Sequence, residues 1–222
     1  MTAPAHAFVV FGDVVRSRDE PGRATAWLRD LTVELDRRVP AAERLARFGF
    51  TQGDELQGLL RTSADPLGVV LFATLQDAAF PMRWVIAAGP VEPGRGPATQ
   101  RTGSAFLDAR ALLESDGVRR DLLRIRVGTE PADTLLADLA PLLGDLLADL
   151  TTRQRAIARL MLVEGRRQAE VAERLHVSRA TISVMAERAR IRRLSGLVGA
   201  LRRIIADGIT ERVRDAPPED AE

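Results

Sequence analysis

Cysteine, lysine and tyrosine are absent from this chain of 222 residues, and its aromatics amount to seven Phe and two Trp. Without cysteine there is neither a disulfide framework nor a thiolate metal site. Without lysine all 32 basic residues are arginine. A GC-rich coding sequence produces that bias on its own, so no Arg is assigned a role merely for being one. The two histidines, His6 and His176, have no second ligand at metal spacing, which leaves no zinc site to propose. Long hydrophobic runs are missing too: residues 69–73 are among the longest and fall far short of a membrane span. Residues 1–8 carry neither the basic region nor the long apolar core of a signal peptide. These absences lead to the expectation of a soluble, cytoplasmic protein with no membrane partner.

The net charge of +1 conceals a split. Residues 1–150 hold 17 Arg against 21 acids, residues 151–215 hold 15 Arg against 7 acids, and residues 216–222 hold three acids and no base. Basic charge gathered in one segment beside an acidic one is the electrostatic footprint of a nucleic-acid module joined to a partner domain. The length allows two small domains, each with its own core.

Hydrophobic periodicity divides the first part into an apolar strand over residues 7–13 that ends in Gly12-Asp13, a helix over 20–39 stopped by Pro40, and a strand pair within 48–60 that flanks Asp54. A helix over 65–79, a buried strand over 82–88 closed by Gly89, a turn-rich stretch 90–97, a helix over 102–114 and a strand over 122–127 follow. The order βαββαβ suits an α+β fold with a ferredoxin-like sheet. A Leu-rich helix over 133–147 comes next. Thr151 and Gln154 have capping-box spacing, and Glu164-Gly165 ends the helix they start. Residues 168–175, the turn 176–178 and residues 179–190 then have helix-turn-helix spacing, with Ala172 at the crossing, Val177 in the turn, Ser178 as N-cap and Ile182 inward. Leu194, Leu197, Val198, Leu201, Ile204 and Ile205 form a further stripe, either core or a dimer seam. The division expected is a sheet domain over 1–130, a connector helix over 131–150, an all-α helix-turn-helix domain over 151–210, and a disordered acidic tail over 211–222.

Two groups of residues carry chemistry. In open sheets ligands collect at the carboxyl ends of strands, so Asp13 and Asp54 are read together as one site, suited to a metal or to an Arg, with Arg110 pairing Asp54 or Glu55 in a structural ion pair as a rival. The alternative is that Asp13 caps a helix and Asp54-Glu55 is a solvated turn. In the helical part, the recognition helix would offer Arg179, Ala180, Thr181 and Ser183 to base edges, Arg166, Arg167, Arg188 and Arg190 would meet phosphates, and Gln168 and Ser178 complete the DNA-binding set. A three-helix bundle serving protein contacts is the alternative there.

Around Gly12-Asp13, Gln52-Gly53-Asp54 and residues 104–110 the chain resembles the SatD family, and in motif order it is similar to class III nucleotide cyclases and, more distantly, to GGDEF domains of palm-type fold. That resemblance implies a cyclase-like site in which Asp13 and Asp54 hold Mg²⁺ or Mn²⁺. Val14, Arg16, Ser17, Arg18, Gln52, Glu55 and Arg110 would surround a nucleotide, with Arg110 at the catalytic arginine's position. Phe50 and Phe106 stand where purine-selecting cyclases carry Lys and Asn, which favours sensing a ligand over converting it. The second part resembles LuxR-type and sigma region 4 helix-turn-helix domains, departing at His176, where Gly is usual, and at Arg167, where Ser or Thr caps.

The reading that follows is a homodimeric transcription regulator whose cyclase-like domain binds a nucleotide or phosphate-bearing ligand and whose helix-turn-helix binds double-stranded DNA, coupled through residues 132–147. A divergent metal-dependent nucleotidyl cyclase or nucleotidyltransferase is the rival, and a first domain that only dimerises is the plainest alternative.

Overall fold

The computed structural model describes residues 5–15, 19–51, 54–77, 79–115 and 121–215. Strand β1 (Ala5–Val14) leads into helix α1 (Pro21–Arg38), then strands β2 (Arg44–Phe50) and β3 (Glu55–Arg61). Helix α2 (Pro66–Thr74), strand β4 (Met82–Val91), helix α3 (Ser104–Glu114) and strand β5 (Leu123–Arg126) complete the sheet half. The sheet runs β2-β3-β1-β4-β5. β1 is antiparallel to both β3 and β4, β2 to β3, and β4 and β5 are parallel. Helix α1 therefore crosses from β1 to β2 with β3 inserted between them, the split βαβ arrangement the element order led one to expect. The fold is α+β.

Side chains alternate across β1. Phe8, Val10 and Val14 face a core shared with α1 and α2, while Ala7, Val9 and Phe11 face α3. Covering both faces explains why the strands read as near-continuous apolar runs. Two expectations change. β4 does not close at Gly89 but continues to Val91, because Gly89 and Val91 pair with Ala7 and Ala5. At Gly89 a Cβ would meet that of Ala105 at 3.3 Å, so the missing side chain lets α3 lie close on the sheet. Helix α2 ends at Thr74 rather than near residue 79; Asp65 caps it by accepting from Gly68 N at 3.0 Å. Seven of its nine residues are buried, so it is a core helix rather than an amphipathic one.

Helix α4 (Glu130–Ala148) packs on β5. Helix α5 (Thr152–Ala158) runs into one π-helical turn (Arg159–Val163), followed by α6 (Gln168–Arg174), α7 (Arg179–Arg188) and α8 (Ile191–Asp215). The stripe on α8 is core of this same chain: Leu194, Val198, Leu201 and Ile205 are buried within one continuous cluster that also contains Phe8 and Ile86 of the sheet. Gly208 brings α8 against α4 and the end of β5, since a Cβ there would lie 2.6 Å from Val127 and 2.8 Å from Ala132. Arg212 then donates from Nη1 to the carbonyls of Ala88 at 2.9 Å and Val127 at 2.7 Å, and Arg202 pairs with Asp65. The helical half is thus fastened to the sheet through α4 and α8, which also pack on each other. α8 continues to residue 215, past the expected boundary at 210, and the rest of the expected tail, residues 216–222, lies outside the described residues.

Candidate nucleic-acid interface and a charged cluster on the sheet

Helices α5, α6 and α7 form the expected helix-turn-helix, and its local geometry follows from the residues. Thr151 and Gln154 make the capping box: Thr151 Oγ1 accepts from Gln154 N at 3.4 Å and Gln154 Oε1 from Thr151 N at 2.9 Å. Arg167 precedes α6, and having no acceptor it cannot cap through its side chain. Glu170 supplies the other half of the box, accepting from Arg167 N at 2.7 Å. That bond, with the nearby Arg166 guanidinium, holds the Glu170 carboxyl below its usual range. The turn after α6 closes through Val177 N to Ala172 O at 3.0 Å and His176 N to Glu173 O at 3.2 Å, with His176 at φ 52°. This is a Schellman turn in which His occupies the left-handed position favoured by Gly. Ser178 caps α7, its Oγ accepting from Thr181 N at 3.0 Å. Val171, Ala172, Ile182 and Ala186 are buried where the two helices meet.

What remains outside is mostly polar, with Val184 of α7 the large apolar exception. Arg179, Ala180, Thr181 and Ser183 are exposed on α7, together with Arg166, Arg167, Ser178, Arg188 and Arg190, while Gln168 is half-buried. Arg166 shares Glu170 at 3.4 Å, whereas Arg179, Arg188 and Arg190 make no ion pair among the described residues. Arg190 has φ 54° and forms the bend between α7 and α8. The N-terminal turn of α7 therefore presents side chains able to read base edges, flanked by uncompensated cations.

On the sheet, residues at one end of the α3 face gather a charged cluster. Register sets Asp13 opposite Glu55 on β3 and opposite Arg83 on β4. Arg83 pairs with Asp13, and Arg110 of α3 grips Glu55 with both terminal nitrogens, one at 2.7 Å. Gln57 Nε2 donates to Glu55 Oε1 at 2.6 Å. Arg110 also lies 5.0 Å from the Phe11 ring centroid, and Phe11 packs against Phe106. Burial lifts the Asp13 carboxyl above its usual range; Arg83 opposes this, while the like charges of Asp54 and Glu55 add to it. The bond to Glu55 raises the Arg110 guanidinium further.

Asp13, Val14, Asp54, Glu55 and Arg110 thus come to one end of the sheet, but in a different arrangement from the expected one. The carboxylate in register with Asp13 is Glu55, while Asp54 stands just ahead of β3 and its carbonyl accepts from Val14 N at 3.0 Å. Arg16, Ser17, Arg18 and Gln52 lie outside the described residues. Among the described residues no three His or carboxylate side chains are grouped to hold a metal ion. Sequence reasoning missed Arg83 and Gln57. Their signal was a polar residue inside an otherwise apolar strand. Phe106 is 9% exposed and belongs to the core beneath α3, not to a base-stacking surface.

Residues 143–216, about a third of the chain, match the model of the family described as KORA, the TrfB plasmid transcriptional repressor. No curated protein matches the chain. Among solved structures, the crystal structure of a regulator of polyketide synthase expression from Bifidobacterium adolescentis aligns with 97% of this chain and 83% of its own, at 15% identity and a TM-score of 0.23. That score is too low for the two folds to be read as one. The family match covers the last residues of α4 and all of the helix-turn-helix through α8, and marks that segment as similar to transcriptional repressors. Among the described residues no helix is long and apolar enough to cross a membrane.

Proposed function

We propose that the chain is a DNA-binding transcription regulator, acting as a homodimer, in which α7 enters the major groove and the sheet domain adjusts its presentation. The observation that carries this is the Ser178-capped α7, whose exposed first turn offers Arg179, Thr181 and Ser183 between unpaired arginines. The match of residues 143–216 to a repressor family supports it. The test is retardation of genomic DNA fragments by the full chain over a salt series, followed by footprinting of the tightest fragment. Replacing Arg188 with Ala should weaken binding to all sequences and lower the salt slope by about one unit. Arg179→Ala should cost about 1 to 3 kcal/mol on the preferred site and relax its specificity. A chain that binds no fragment tighter than random DNA at any salt would overturn the reading.

The sensing part of the proposal places a phosphate-bearing ligand at the Asp13 end of the sheet, where Asp13 and Asp54 would hold Mg²⁺ or Mn²⁺ alongside substrate phosphates. Such a ligand must draw Asp13 from Arg83. A thermal-shift panel of nucleotides with each metal, on wild type and on Asp13→Ala/Asp54→Ala, tests it, and a metal-dependent shift lost in the double variant is the expected result. The competing enzyme reading needs Arg110 at a transition state, whereas Glu55 engages that guanidinium bidentately.

A further inference from the structure

On the face of the sheet opposite the charged cluster, α2, β4, α4 and α5 line a partly open cavity of about 130 Å³. Its wall is mostly apolar, with Val70, Met82, Leu123 and Leu147 contributing. Three of the residues that line it carry a polar atom that is buried and without a hydrogen-bond partner: Thr74 Oγ1, Trp84 Nε1 and Arg155 Nε. Trp84 as a whole is only 3% exposed. Other arginines also leave Nε unused, but Arg44, Arg83 and Arg101 are each engaged through a terminal nitrogen. Arg155 differs: no part of its guanidinium has a partner among the described residues.

We propose that this cavity is a binding site for a small apolar carboxylic acid of about benzoate size, its carboxylate received by Trp84 Nε1, Arg155 and Thr74 Oγ1 and its body by the apolar wall. Trp Nε1 and Arg Nε can only donate, so the ligand must present an acceptor. The uncompensated guanidinium selects an anion over a neutral amide or alcohol. The volume sets the size, since an apolar cavity of roughly 150 Å³ takes up benzene. A phosphate would leave oxygens facing Val70 and Leu147 with no donor.

The position also gives such a ligand leverage. Thr74 belongs to α2 and Trp84 to β4, whereas Arg155 belongs to α5, the first helix of the helix-turn-helix. Occupancy draws α5 toward the sheet and so favours one presentation of α7 over others. The site itself stands apart from the regulator reading; its effect on DNA rests on that reading.

The experiment uses the full chain carrying Trp27→Phe, which leaves Trp84 as the one indole. Titration with benzoate should change Trp84 fluorescence saturably. Arg155→Gln should weaken binding by about tenfold, and Thr74→Val by a few fold. Toluene and benzyl alcohol, lacking the charge, should bind at least about tenfold more weakly than benzoate. DNA affinity of the same preparations should change on saturation with benzoate and stay constant in Arg155→Gln. The absence of a saturable change with benzoate or its cyclohexane and isobutyrate analogues overturns the site, as does equal binding of toluene. A chain that retards DNA with the same affinity, with and without saturating acid, overturns the effector role. A chain that never retards DNA refutes the regulator reading, and the fluorescence titration then still decides the site.

Discussion

Arg83 and Trp84 are consecutive residues of β4 that look out on opposite sides of one sheet. On the Arg83 side charge meets countercharge: Asp13 holds Arg83, and Glu55 holds Arg110 while accepting from Gln57. On the Trp84 side an indole N–H, a hydroxyl and an arginine Nε of residues lining an apolar cavity are buried with nothing to bond to. The difference separates polar groups that serve the fold from polar groups kept available. A buried charge with its partner is part of the architecture, and removing either member exposes the cost of the other. A buried donor without a partner carries its desolvation cost all the time, so deleting it relieves the fold.

Breaking the paired side should have the largest effect. The Glu55 side chain is 9% exposed and Arg110 is 41% exposed, so Arg110→Ala leaves a nearly buried carboxylate with the Gln57 amide as donor and the like charge of Asp13 in register with it. The expected loss is about 2 to 3 kcal/mol, below the full value for a wholly buried pair because water reaches the arginine. Urea unfolding measures it, and Glu55→Gln combined with Arg110→Met should recover most of the loss. An Arg110→Ala protein with an unchanged midpoint would show that this cluster holds nothing together.

Gly12 joins the two sides. A Cβ there would lie 2.6 Å from Trp84 Cζ3 and 2.7 Å from Met82 Cε, so β1 carries glycine where the indole crosses it. Gly12→Ala should cost about 1 to 2 kcal/mol, less than a rigid core would lose, because the neighbouring cavity gives the ring somewhere to go. With Trp27→Phe as background, the shift of the ring should appear as a changed Trp84 emission maximum. Thr74→Val sharpens the comparison from the open side, with the opposite sign. Replacing an unpartnered hydroxyl by a methyl of the same shape should raise stability by about 0.5 to 1 kcal/mol in the same urea assay.

The helical half was nearly all legible in the sequence, because its determinants are local. A capping Thr three residues before a Gln, a Ser before an amphipathic run, and a turn six residues long from Ala172 to Val177 each carry their geometry with them. The sheet site was legible only in part. Which of Asp54 and Glu55 faces Asp13 depends on a one-residue phase in the register of β3, and such a phase inverts every side chain of the strand. In the sequence Gly12 is only the residue before Asp13, whereas its reason is the ring of a residue 72 positions later. Arg83 and Arg155 looked like two more arginines in a lysine-free chain. Only the register of β4, and the place of Arg155 on the same pocket as Trp84, distinguish the one that is paired from the one without a partner.

The smallest effect expected concerns the other end of β1, where α8 meets the sheet. Arg212, fixed on the carbonyls of Ala88 and Val127, lies near His6, which sits opposite Pro90 in the register. Burial, and after it the Arg212 charge, hold the His6 imidazole below its ordinary value of 6.5. As pH falls below 6.5 the unfolded chain takes up a proton that the folded chain refuses. The unfolded state then binds more protons, and stability rises with pH in that window. The group costs the fold nothing above 6.5, and the cost grows as pH drops from 6.5 through the lowered value. His6→Gln should therefore flatten the melting temperature between about pH 7 and pH 5 relative to wild type. Arg212→Gln should flatten it less, because burial is the larger cause. If the wild-type and His6→Gln curves run parallel across that range, His6 titrates freely and α8 does not press on this end of the sheet.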